Sequence, residues 1–253
     1  MTAPAPAPAR PRPRSAALDR DTAYRLAATE YQRIVAVLRE LDADDWSRPT
    51  DCPGWDVRAM AAHVLGMAEM AASVREMARQ QRLAGKAGGG IDALTAVQVR
   101  AHADLDGPAI AAALEVTAPR ALRGRRRLSR VAGQVTLPEE QVNGDIREHW
   151  RIGFLLDVVL TRDVWMHRID VCRATGREPE LTSGHDGVLV ADVVAEWAQR
   201  HGRPYELTLT GPAGGQWSSG TGGERVELDA VEFCRLLSGR GSGAGLLAQQ
   251  VPF

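Results

Sequence analysis

The segment TRDVWMHRID, residues 161–170, continues a helical pattern of apolar residues while setting Asp163 and His167 one turn apart. The pattern predicts a long helix over residues 139–175 whose inward stripe reads Ile152, Leu156, Val159, Leu160, Asp163 and His167. A carboxylate on such a stripe needs compensation, because an unpaired buried charge is strongly destabilising. It must be paired, protonated or bound to a metal.

Upstream, the same periodicity gives further helices. Residues 18–41 carry Ala27, Tyr31, Ile34, Leu38 and Leu41 at helical spacing. After the polar turn DADDWSRPT, the segment DCPGW breaks the chain, and Asp56 is placed to cap a second helix running to about residue 85. The stripe of that helix would be Met60, His63, Met67, Met70, Val74 and Met77. A weaker helical stretch is expected over residues 91–120 around DLDGP, and the arginine-dense RGRRR that follows reads as a solvated loop. Four helices of this length predict an antiparallel bundle.

Beyond EPELTSG the composition changes. Residues 186–200 read as a helix, and 205–209, 216–219 and 225–228 as strands between Gly-rich turns. Asp229 then caps a last helix through Leu237. The expected fold class is α+β: a disordered basic tail over residues 1–17, a four-helix bundle over 18–176 and a small C-terminal α/β domain over 183–253.

Composition narrows the function. Of 253 residues, 44% are hydrophobic and 25% charged, yet the formal net charge is only -1, so no global basic field points to nucleic acid or membrane. No run approaches the roughly 18 apolar residues of a membrane span. A small molecule is the expected partner, with the chain a monomer or weak dimer. Cys52, Cys172 and Cys234 are an odd number at spacings of neither a disulfide framework nor a zinc knuckle, which favours the cytoplasm. The Pro/Ala/Arg N-terminus lacks the apolar core of a signal peptide. Lys86 is the sole lysine in an Ala/Arg/Gly-rich chain, the signature of a GC-rich genome.

Three polar residues, His63, Asp163 and His167, therefore occupy positions where periodicity predicts apolar side chains. A carboxylate and an imidazole at i, i+4 project from one helical face, and a histidine from a facing helix completes a set of three ligands suited to catalytic zinc or non-haem iron. Spacing alone equally allows an ordinary helical ion pair between Asp163 and His167, with His63 a satisfied core histidine. Arg162, Arg168 and Asp170, which flank the pair, read equally well as a solvated face.

The segment WSRPTDCPGWDVRAMAAHVLG, followed far downstream by RDVWMHRIDVCRATG, resembles the mycothiol-dependent maleylpyruvate isomerase family, a branch of the DinB-like metalloenzyme superfamily. The resemblance extends from about Leu18 to the end of the chain. It implies a DinB-like bundle holding a divalent metal, usually zinc, through His63, Asp163 and His167. The isomerase itself has glutamate at the acidic position, so Asp163 is a departure, although aspartate remains a competent oxygen ligand.

The resemblance also implies a chemistry. A zinc-activated thiolate of mycothiol, in an actinobacterial cell, would add to an electrophilic small molecule, giving isomerisation or S-transfer. The alternatives are metal-dependent hydrolysis through metal-bound hydroxide and ligand binding without turnover. The resemblance further suggests that the C-terminal domain closes over the cleft and supplies an arginine for an anionic group. Arg240 is the catalytic candidate, with Arg235 and Arg225 as rivals. Trp55 is the candidate wall of the cofactor pocket; Trp46 and Trp55 read also as a hydrophobic lock between helices. Cys52 reads as structural, leaving the sulfur to be borrowed.

Overall fold

The computed structural model describes residues 12–143 and 146–253. Asp19 accepts hydrogen bonds from the amides of Asp21 and Thr22 and starts α1 (Arg20–Arg39). A 3-10 turn at Asp45–Ser47 leads to α2 (Val57–Ala72), where Asp56 caps the helix by accepting from the Ala59 amide at 2.7 Å, as the sequence predicts. The helix stops before residue 85. Ser73 takes extended backbone (φ -147°, ψ 120°), and its hydroxyl accepts from the Glu76 amide to cap a separate α3 (Val74–Lys86). The inward stripe consequently holds through Met67 and fails at Val74, which is 77% exposed.

After α4 (Gly90–Ala101), Asp106 caps α5 (Gly107–Ala132), which absorbs the RGRRR segment expected as a loop. Two contacts explain the correction. Arg125 is buried and donates to the carbonyl of Leu156 and the hydroxyl of Thr161. Gly124 lies so close to α2 that a Cβ there would overlap the carbonyl oxygen of Ala71. Gly124→Ala is therefore expected to lower unfolding stability by about 1–3 kcal/mol through forced separation of α2 and α5. A denaturant midpoint equal to the parent's would show that this close approach has no energetic weight.

Residues 139–151, expected as helix, contain instead β1 (Gln141–Asn143) and β2 (Ile146–Glu148), paired antiparallel. The Gly144-Asp145 dipeptide between them in the sequence is a hairpin-turn signal that the helical reading passed over. The helix begins only at α6 (Ile152–Phe154), continues through a π turn at Leu155–Val159, and becomes α7 (Leu160–Thr175). The π turn adds a residue to one turn and so rotates everything after it, including Asp163 and His167. Arg125 braces the turn from α5.

Helices α1, α2, α5 and α7 form the bundle, with α3 and α4 packed outside α2. Its core includes Ile34, Leu38, Met60, Leu65, Leu114 and Val164. The C-terminal unit is α8 (Asp186–His201), β3 (Tyr205–Thr210), β4 (Gly215–Ser219), β5 (Glu224–Asp229) and α9 (Ala230–Leu237). Strand order is β4-β3-β5, antiparallel between β3 and β4 and parallel between β3 and β5. Tyr205, Leu207 and Leu209 alternate inward to a second core with Val193, Trp197 and Phe233. The fold is thus α+β. Helix α7 serves both cores, since Leu160, Val164 and Val171 belong to the bundle and Trp165, Met166 and Ile169 to the α/β unit.

Residues 1–11 of the expected tail lie outside the described residues. At Arg14 the free-tail expectation is corrected: its amide donates to His149, its carbonyl accepts from Arg151, and its guanidinium meets Glu148 at 3.0 Å. No helix among the described residues is long and apolar enough to cross a membrane.

Candidate metal centre

Helix α2 supplies His63, and α7 supplies Asp163 and His167. His63 Nε2 lies 3.7 Å from Asp163 Oδ2, and His167 Nε2 lies 3.4 Å from Asp163 Oδ1. One donor atom from each residue falls within 4.8 Å of the other two. The imidazole rings stand edge-on, 5.3 Å apart and at 89°. Asp163 Oδ2 is buried and accepts no hydrogen bond. Two imidazole nitrogens converge on Asp163, whose Oδ2 has no hydrogen-bond partner and lies 3.7 Å from His63 Nε2, a donor set that fits a divalent ion.

The outer edges of both rings are occupied. His63 Nδ1 lies 2.8 Å from Gln98 Oε1, and His167 Nδ1 lies 3.4 Å from Asp170 Oδ2. Such outer partners orient histidines that ligate through Nε2. Burial alone would raise the carboxyl pKa of Asp163, but the charge of His167 and the contacts with both histidines hold it far below the usual range. The reciprocal interaction outweighs burial at His167 and raises its pKa well above the ordinary imidazole value. Asp170 is likewise lowered despite burial, by His167 and Arg240.

The loop before α2 brings two more groups to the site. Thr50 donates to the Trp55 carbonyl through both its amide (3.0 Å) and its hydroxyl (2.9 Å), and Gly54 takes φ 81°, which glycine adopts without strain. Trp55 is thereby set over the histidines, 5.1 Å from His63 and 6.1 Å from His167 between ring centroids. Cys52 Sγ approaches Arg240 at 3.7 Å and Asp170 at 3.9 Å. Trp46 is the interhelical lock, packed where α5 starts with Gly107.

Arg240 reaches the centre from the C-terminal unit. Its Nε and one Nη hold Asp170 at 2.7–2.9 Å, and that Nη lies 3.4 Å from His167 Nδ1. Of its rivals, Arg235 pairs with Asp51 at 2.7 Å and lies 3.9 Å from Asp170, whereas Arg225 is exposed and pairs with Glu206. A donor set able to hold a metal ion, the Trp55 ring and an arginine from the C-terminal unit stand together.

A family profile described as the mycothiol maleylpyruvate isomerase N-terminal domain matches residues 27–172. The chain belongs to this family. Two crystal structures share the fold: a mycothiol-dependent maleylpyruvate isomerase (18% identity, TM-score 0.56) and a variant of that enzyme with a histidine replaced by alanine (18%, 0.55). Each comparison covers 89% of this chain and 91% of the other. Among curated protein sequences none matches this chain.

Within this member of the family, the flanking residues expected as a possible solvated face are buried. Arg162 pairs with Asp192 and Glu196 of α8, Arg168 with Glu30 and Asp186, and Asp170 with Arg240. The signal for Asp170 was its i, i+3 relation to His167. Gln98 had none, because glutamine on an amphipathic helix is ordinarily solvent-facing.

Proposed function

We propose that this chain is a mycothiol-dependent enzyme of the maleylpyruvate isomerase type, in which a borrowed thiol adds to an electrophilic small molecule. Loss of the thiol after bond rotation gives isomerisation; its retention gives S-transfer. Family membership and the isomerase activity named for the two structural neighbours support the reading. The observation that carries it is the convergence of His63 Nε2, His167 Nε2 and the partnerless Asp163 Oδ2. The bundle (residues 18–176) and the α/β unit (residues 183–253) are its two working parts.

His63, Asp163 and His167 would hold a divalent ion, with zinc the best fit to this nitrogen and oxygen set. When bound, such an ion lowers the pKa of a coordinating thiol toward neutrality. The other residues position and screen. Asp170 accepts from His167 Nδ1 and keeps its Nε2 toward Asp163. Trp55 covers both rings and excludes water from that side. Arg240 uses Nε and one Nη on Asp170, which leaves its other Nη to pair with an anionic group of the substrate or thiol.

The chain's own thiols fit the nucleophile's role poorly. Cys172 and Cys234 are buried, and burial pushes both thiols up, so they stay protonated. Cys52 sits beside Asp170 and Arg240, the groups on the Nδ1 edge of His167, rather than on the edge facing Asp163. With Cys52, Cys172 and Cys234 all replaced by Ala or Ser, turnover of a maleylpyruvate-like substrate is expected to persist and to require added mycothiol. Turnover without any thiol would favour hydrolysis. Loss of activity on replacing Cys52 alone, with metal retained, would make that residue the nucleophile.

A further inference from the structure

We infer that Gln80 and Gln98 form a one-way hydrogen-bond relay that fixes the His63 ring in its Nδ1–H form and keeps the Nε2 lone pair turned toward Asp163. The purpose of the relay rests on the metal-centre reading; its geometry does not. Both glutamines are fully buried, at 0% and 1% exposure, although neither belongs to the bundle's four helices.

The polarity of the chain is set at its far end. The amide nitrogen of Gln80 lies 2.9 Å from the carbonyl oxygen of Gly66 and 3.1 Å from Glu76 Oε1. Both are acceptors, and Glu76 is kept charged by Arg79, so the Gln80 group facing them must be its NH2. Gln80 Oε1 then accepts from Gln98 Nε2 at 3.0 Å, and the one atom left to Gln98, its Oε1, meets His63 Nδ1 at 2.8 Å. An amide oxygen only accepts, so Nδ1 carries the proton. Reversing either amide would set donor against donor or acceptor against acceptor in a buried site.

Two further features hold Gln98 in place. A Cβ on Gly66 would lie 2.6 and 2.7 Å from Cβ and Cγ of Gln98, so only glycine lets the side chain pass α2 at this height. The Gln98 carbonyl is engaged by His102 Nδ1 at 2.9 Å, and His102 Nε2 meets Glu69 at 3.1 Å. Burial opposes the charged form of His102, but the Glu69 hydrogen bond and the Gln98 carbonyl raise its pKa, consistent with both ring nitrogens donating. Neutral histidine in water prefers the proton on Nε2, the form that cannot ligate through Nε2. The relay removes that competing form before a ligand arrives, which makes Gln98 a positioning residue.

The test reads the tautomer directly. In 15N-histidine-labelled, metal-free protein at a pH where the ring is neutral, His63 is expected to show a protonated Nδ1 and a bare Nε2. Gln98→Met should mix the two forms and weaken zinc binding, measured by chelator competition, by roughly 10–100-fold. Should Gln98→Met not fold, Gln80→Met serves, since it frees the Gln98 amide to rotate and should also mix the forms. An Nε2–H ring in the parent, or an unmixed Nδ1–H ring with parental zinc affinity in the variants, would overturn the relay. A parent that binds no zinc yet shows the Nδ1–H ring would end the metal reading and leave the relay standing.

Discussion

In the His63→Ala variant, bound metal is expected to fall from close to one divalent ion per chain to near zero. Asp163 and His167 would remain, but both project from one turn of α7, and two ligands from one helical face leave a zinc ion underfilled. The loss should exceed the roughly 10–100-fold that removing an outer-shell partner costs, because His63 Nε2 faces Asp163 Oδ2 directly. Metal per chain by elemental analysis after gel filtration measures it, with helix content checked in parallel. Turnover should vanish with the metal. Full occupancy in this variant would remove His63 from the ligand set.

The second large effect is on stability. Arg168 on α7 is wholly buried, holds Glu30 of α1 through two bonds at 2.9 and 3.0 Å, and reaches Asp186 at the start of α8 at 2.9 Å. One guanidinium thus ties both units to the helix they share. Arg168→Met would leave buried Glu30 facing only His185 and buried Asp186 only Arg33, and the expected loss is about 3–5 kcal/mol in a urea titration. Replacing Glu30 as well should cost less than the two single losses together. Burial raises the pKa of Asp186, but the Thr182 amide, Trp165, Arg33 and Arg168 outweigh it and hold it below its usual 3.8. Its contribution is therefore complete above the unfolded carboxyl pKa and lost as pH falls through the lower folded value. A loss under about 1 kcal/mol would mean that the network relaxes onto water.

How much of this was legible depended on what kind of signal each residue left. Asp56 and Asp229 announced their helices because a cap is a local event, written in a few residues. His63, Asp163 and His167 stood out because polar groups interrupted otherwise apolar stripes. The break at Ser73 and the hairpin over residues 141–148 were overridden by helical periodicity on either side. The arginines deceived for a different reason: Arg125, Arg162 and Arg168 are buried because of carbonyls and carboxylates contributed from more than 20 positions away or from another unit. A charged side chain looks the same in a sequence whether its partner is water or protein. Gln80 and Gln98 were silent for that reason too.

The measurement that tests the central claim most directly is X-ray absorption at the zinc edge of the loaded protein, taken before and after addition of mycothiol. The proposed centre predicts only nitrogen and oxygen neighbours, near about 2.0–2.2 Å, in the protein alone, and one new sulfur neighbour near about 2.3 Å once the thiol is present. The same change should appear with Cys52, Cys172 and Cys234 all replaced. A sulfur neighbour already present before thiol and absent from that variant would place one of the chain's own cysteines on the metal. A first shell that never gains sulfur would contradict thiol activation at His63, Asp163 and His167.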